Sequence, residues 1–222
     1  MLKKSITLYY DVISPYTWIA FESLLRYEKI LGANLKLVPA GLGFIMRETG
    51  NPPPAQVQKK GEYIERDWWL IGDYWGVPLR PPRDFNDLIL KKGSLGAMRL
   101  LTALDMRQKE LVVPVAREFW MRLWSREQTI HEPEDIVQVC KDLKIPNHDE
   151  IIQFAKDQQV KDRLKSTTDE AIKAGAFGMP WIVVKREGME DVSIFGSDRL
   201  PLICHLLNSP FNGPMKESES KL

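Results

Sequence analysis

Cysteine and histidine are scarce in this chain: two cysteines and three histidines occur among 222 residues. Cys140 and Cys204 each stand alone inside a segment of helical pattern, so there is neither a C-x-x-C dithiol nor the Cys/His spacing of a metal site. Such sparing cysteine use fits a reducing, intracellular compartment. Long apolar runs are missing too. Nothing approaches the roughly eighteen consecutive apolar residues of a membrane span, and the N-terminus opens on an alternating strand pattern instead of a signal peptide. Net charge is nearly nil, with 31 Lys and Arg against 30 Asp and Glu. A long-range field that gathers nucleic acid or anionic lipid is therefore not expected, and any anion must be recognised locally.

What is present is the mixture of an ordinary globular protein, 44% hydrophobic and 27% charged. Its length admits one continuous core with a large insertion, or two domains. Ile6, Leu8 and Tyr10 alternate with Thr7 and Tyr9, and the apolar content of both faces predicts a central strand covered on each side. The pattern breaks at Ser14 and Pro15, a good N-cap followed by a proline suited to the first helical turn. Trp18, Phe21 and Leu25 then recur at helical spacing. A second strand over Asn34 to Val38 completes a strand, helix, strand order that calls for a parallel crossover. Gly41 to Lys60, with Pro52, Pro53 and Pro54, reads as an extended loop and not as a helix.

Helical spacing then dominates, near 61–75, 92–106, 111–126, 133–143, 148–157 and 160–174. Strand character returns at Trp181 to Val184 and at Asp191 to Phe195, and a last helix over Arg199 to Leu207 takes Asp198 as its N-cap. Strands at both ends bracket the helices. The expected fold is accordingly α/β, one domain built from 1–60 and 175–213, interrupted by an all-helical insertion over 61–174 and followed by a flexible tail at 214–222.

Three short segments could carry chemistry. Ser14, Pro15, Tyr16 and Thr17 form a strand-to-helix turn, where unpaired backbone donors and the helix dipole favour an anion; on local pattern alone the same residues are an ordinary helix start. Ser14 lacks the surroundings of a covalent nucleophile, since His131, His148 and His205 are remote in sequence and no nucleophile elbow encloses it. Phe177-Gly178-Met179-Pro180 precedes a strand, so Pro180 is either a trans residue that opens it or a cis residue that turns the Met179 backbone toward a ligand. In Gly196-Ser197-Asp198-Arg199 the aspartate is an N-cap or the partner of a ligand ammonium. Tyr9, Trp18, Trp68, Trp69 and Trp75 read mostly as core or interface aromatics, with an apolar acceptor pocket as their other use.

The segments Tyr10-Asp11-Val12-Ile13-Ser14-Pro15-Tyr16-Thr17-Trp18, Gly50-Asn51-Pro52-Pro53, Lys92-Gly93-Ser94-Leu95-Gly96-Ala97-Met98-Arg99, Gly175-Ala176-Phe177-Gly178-Met179-Pro180 and Phe195-Gly196-Ser197-Asp198-Arg199 together resemble the kappa-class glutathione transferases. Their order and spacing cover essentially the whole chain. The resemblance implies a thioredoxin-like domain with a helical insertion in the arrangement of the bacterial disulfide oxidoreductase DsbA, a homodimer, and glutathione as cosubstrate without metal or nucleotide. It implies that Ser14 is catalytic, with Pro15 and Tyr16 in the same glutathione-binding turn, and that Asn51 and Lys60 bind glutathione. Met179, where the family more often has leucine, would pair its backbone with the cysteinyl unit ahead of Pro180. Ser197, Asp198 and Arg199 would hold the γ-glutamyl end.

A free thiol has a pKa near 8.5 and is mostly protonated at neutral pH, so a serine hydroxyl beside a helix N-terminus would serve by favouring the thiolate. The implied reaction is conjugation of glutathione to small electrophiles, with organic hydroperoxides as a second acceptor. A glutathione-dependent isomerase of the 2-hydroxychromene-2-carboxylate type and a non-catalytic glutathione- or peptide-binding protein are the alternatives. A dithiol oxidoreductase is not implied, because Ser14 and Thr17 stand where its two cysteines would be. Finally, Ser220, Lys221 and Leu222 spell the tripeptide that a peroxisomal import receptor reads, which makes the peroxisome the expected location ahead of mitochondrion or cytosol.

Overall fold

The computed structural model of the chain describes residues 4–80, 82–83 and 92–215. Ser220, Lys221 and Leu222 therefore lie outside the described residues. Strand β1 (Lys4–Tyr10) leads through helix α1 (Pro15–Leu31) to β2 (Asn34–Pro39), which pairs with β1 in parallel, as the crossover requires. Gly32 ends α1 at φ +55, a left-handed conformation that a residue without Cβ adopts freely. Among the described residues seven α-helices follow: α2 (Leu42–Thr49), α3 (Gln58–Trp75), α4 (Leu95–Arg107), α5 (Val112–Ser125), α6 (Pro133–Asp142), α7 (His148–Phe154) and α8 (Gln158–Lys173). The chain then returns through β3 (Trp181–Arg186) and β4 (Val192–Phe195) to α9 (Leu200–Leu207). Both β3 contacts are antiparallel, giving the order β2-β1-β3-β4.

Alternation along the strands decides what each sheet face covers. Ile6, Leu8 and Tyr10 of β1, with Ile182 and Val184 of β3, join the main core with α1, α9 and most of the helical insertion. Tyr9, Trp181 and Val183 point the other way and pack with Ile45 of α2 and Ala171 of α8. The result is a thioredoxin-like α/β core with a large helical insertion, and β1 is one of its two inner strands, beside β3.

Helix α5 of the insertion is locked onto α1. Trp120 stacks parallel to Trp18 at 6.2 Å, and Arg117 grips Glu22 through two bonds of 2.8 and 2.7 Å. A planar guanidinium matched to a carboxylate in this way fixes orientation as well as distance.

Two expectations need correction. The stretch from Gly41 to Lys60 is not a continuous extended loop: it contains α2, a 3₁₀ turn over Pro54–Gln56 and the first turn of α3. Asp198 is also not the N-cap of α9, a position that Arg199 occupies without a side-chain capping bond. The Asp198 carboxylate instead folds back over Gly196, whose φ of +114 and lack of Cβ leave room for it, and lies 3.6 Å from Arg199 Nε. At the other end of the chain, Arg26 holds the Pro214 carbonyl at 3.0 Å.

Candidate active site

Ser14 begins α1 in extended backbone conformation, and its Oγ accepts the Thr17 N–H at 3.2 Å. The N-cap expectation is met in full. Because that bond uses an oxygen lone pair, the hydroxyl proton is left for another acceptor. Trp120 Nε1 donates to the Ser14 carbonyl at 3.1 Å, so the insertion itself steadies the turn. Helix α1 has no acidic residue in its first turn, which leaves the positive end of its dipole uncompensated.

Ser14, Pro15 and Tyr16 line a cleft of about 1100 Å³. Asn51, Lys60 and Met179 line the same cleft, so residues from three separated stretches of sequence converge there. Asn51 Nδ2 donates to the Phe177 carbonyl at 2.8 Å, tying the end of α2 to the loop before β3. The Met179–Pro180 peptide is cis. Among the described residues the Met179 N–H and carbonyl make no hydrogen bond, although the side chain is buried, so both groups remain for a partner. Lys60 is exposed and has no carboxylate partner among the described residues, whereas its neighbour Lys59 pairs with Glu62 at 2.7 Å.

Tyr16 has a different part from Ser14. Its hydroxyl donates to Asp67 Oδ2 at 2.6 Å, and burial together with that carboxylate pushes its pKa far above the ordinary phenol value. A phenol so committed does not supply a proton to a sulfur. Pro180, Ser197, Asp198 and Arg199 do not line the cleft. They stand beside it: the Gly196 N–H donates to the Pro180 carbonyl at 3.3 Å, Ser197 is buried, and Asp198 and Arg199 are exposed.

The aromatic residues read mostly as core or interface, with an acceptor pocket as their other use, divide. Trp68 lines the cleft. Trp18 and Trp75 are core, Tyr9 packs under the other sheet face, and exposed Trp69 carries the Arg80 guanidinium 4.3 Å above its ring. Phe44, Tyr63, Met98, Trp124 and Phe177 line it as well, and none of them was among the aromatics weighed for that role.

Asp11 was also missed. It is 1% exposed, and its carboxylate accepts the Ile13 N–H at 3.0 Å and the Leu42 N–H at 2.9 Å and is bonded to the Ser94 hydroxyl. It therefore clamps together the Ser14 turn, the start of α2 and the segment ahead of α4. Burial raises its pKa above the ordinary 3.8, and the three hydrogen bonds oppose that shift without cancelling it.

Comparison with known proteins accounts for this arrangement. A family model described as a DSBA-like thioredoxin domain matches residues 5–208. Human glutathione S-transferase kappa 1 is 38% identical over 216 residues, covering 96% of this chain and 95% of the human protein. The chain belongs to the kappa class of glutathione transferases. The rat kappa 1 enzyme is 40% identical, over 95% of this chain and 93% of its own length. A solved 2-hydroxychromene-2-carboxylate isomerase superposes with a TM-score of 0.74 over 91% of this chain and 94% of its own, at 18% identity. That last likeness is one of fold.

Proposed function

We propose that this kappa-class transferase binds glutathione across the cleft with its sulfur at Ser14 and conjugates it to small electrophiles, reducing organic hydroperoxides as a second reaction. The observation that carries this is the N-cap of α1, a buried serine whose hydroxyl proton has no acceptor among the described residues, at a positive helix end inside an apolar-walled cleft. Both the hydroxyl and the dipole favour a thiolate over a thiol. Asn51 and Lys60 hold the peptide on one wall, Met179 offers its backbone pair to the cysteinyl unit ahead of Pro180, and Ser197, Asp198 and Arg199 receive the γ-glutamyl end. Ser14 acts by stabilising charge, not as a nucleophile. In conjugation the sulfur forms a bond to carbon as the leaving group departs, and the thiol proton passes to solvent. In peroxide reduction the thiolate attacks the terminal oxygen, the O–O bond breaks and the alkoxide leaves as alcohol on taking a proton; a second glutathione thiol then displaces water from the resulting sulfenic acid to give the disulfide.

The 38% identity to a transferase, against 18% to the isomerase, favours transfer over isomerisation. Assay with glutathione and an aryl halide, then with cumene hydroperoxide, tests the proposal directly. Turnover that persists after exhaustive chelation is the expected result, and turnover of 2-hydroxychromene-2-carboxylate alone would support the isomerase instead.

We further propose a homodimer. Tyr63, Leu70 and Tyr74 form an exposed apolar stripe along α3, at 60%, 69% and 50% exposure, of the kind that a second copy covers. Light scattering should give twice the chain mass across dilution; a constant single-chain mass would overturn this. For location we propose the peroxisome, through recognition of Ser220, Lys221 and Leu222 by the import receptor. With a fluorescent tag at the N-terminus, deleting Leu222 should move the protein to the cytosol, and unchanged import would show that another signal carries it.

A further inference from the structure

A second groove, of about 540 Å³, opens beside the cleft between α2, α4 and α8. The two share Phe44, Arg47, Leu95 and Leu164, so the groove is a side branch of the same space. Its floor is apolar, with Ile172 added to the three shared apolar residues. Its charge is one-sided: Arg47, Arg99, Lys161, Lys165 and Lys173 meet only Glu48 and Asp169. Asp169 is engaged with a single cation, bonding Lys165 at 2.6 Å, which leaves Glu48 as the one carboxylate of the groove without an ion pair among the described residues. Arg99, Lys161 and Lys173 have no carboxylate partner among the described residues, and Arg47 lies 5.0 Å over the Phe44 ring. Arg99 and Lys161 are moreover half-buried. Cations that lose part of their hydration without gaining a counter-ion are costly to the fold and attractive to an anion.

We infer that this branch is an oxyanion subsite for the acceptor substrate, receiving the carboxylate or phosphate of a molecule whose apolar part extends over Phe44, Leu95 and Leu164 into the cleft. This rests on the proposed conjugating role of the cleft and narrows its substrates to apolar molecules with an acidic end. The near-neutral chain thus concentrates positive charge where one group needs it. Arg99, Lys161 and Lys173 lie outside the glutathione cleft, so the subsite can be removed without touching the glutathione contacts.

Calorimetry with dodecanoate, dodecyl phosphate and dodecanol, all below micelle-forming concentrations and without glutathione, measures binding independently of turnover. At least one acidic ligand should bind about tenfold or more tightly than dodecanol, and the advantage should shrink as salt rises. Preference for dodecanoate alone identifies a carboxylate site, preference for dodecyl phosphate alone a phosphate site, and equal binding a general oxyanion site. In the triple variant Arg99→Gln, Lys161→Gln, Lys173→Gln the advantage should vanish, while kcat for a neutral aryl halide and KM for glutathione stay at wild-type values. If the triple variant fails to fold, Lys161→Gln alone should reduce the advantage. Equal binding of all three ligands to the wild type would overturn the proposal, even if the aryl halide is conjugated normally. A raised KM for glutathione in a folded variant would overturn it also, by assigning these cations to the peptide.

Discussion

Replacing Ser14 with alanine should raise the pKa of enzyme-bound glutathione by about one to two units, because a charge-assisted hydrogen bond contributes roughly 1.5–3 kcal/mol and each unit corresponds to about 1.4 kcal/mol. Turnover of an aryl halide at pH 7 should fall at least about tenfold and recover partly at alkaline pH, where thiolate forms without help. Glutathione should still bind, since Asn51, Lys60 and the unpaired Met179 backbone are untouched. The fold should lose about 1 kcal/mol, because the same Oγ caps α1 through the Thr17 N–H. Thiolate absorbance of the complex, titrated in wild type and variant, separates the two effects. An unchanged bound-thiol pKa together with unchanged neutral turnover would sink the role given to Ser14. Ser14→Cys offers a contrast: its thiolate can attack oxidised glutathione, forming a mixed disulfide and releasing one glutathione, which diverts the site to redox exchange.

Ser14 was legible because its capping chemistry is local: strand alternation, a capping residue and Pro15 sit within a few positions of one another. The same is true of β1, whose two-sided burial shows in five consecutive residues. Helix α2 was not legible. Gly41, Gly43 and Gly50, followed by three prolines, give its sequence the signature of a loop, and its propensity is poor. Tertiary contacts hold it instead: Gly41 N–H bonds Thr168 Oγ1 at 2.9 Å, Leu42 N–H bonds Asp11, and Ile45 is buried under α8. Missing α2 meant missing Phe44 and Arg47, and with them the wall that divides the cleft from its cationic branch. The Asp198 error has the opposite cause. Local chemistry suggested a cap, but the left-handed turn at Gly196 carries the carboxylate away from the helix. Asp11 offered one unused signal, a carboxylate directly after a strand read as covered on both sides; its partners lie too far along the chain to be read from sequence.

Asp11 is where the largest loss of stability is expected. Asp11→Ala removes the acceptor of two backbone N–H groups and the partner of Ser94, in a site that is 1% exposed, and should destabilise the fold by about 2–4 kcal/mol. The three segments it clamps all line the cleft, so KM for glutathione should rise in the folded fraction. Asp11→Asn isolates the charge. Because burial raises the folded pKa above the ordinary 3.8, the folded state holds this proton more tightly than the unfolded chain does. The stabilisation from that proton is complete below the unfolded value and is lost as pH rises through the folded pKa. The asparagine variant has no such titration. The stability advantage of wild type over Asp11→Asn, read from urea midpoints, should therefore shrink as pH rises from about 4 and then level off. An advantage that grows over the same interval would mean that the bonds from Ile13, Leu42 and Ser94 outweigh burial, and that Asp11 clamps the cleft as a carboxylate favoured by the fold.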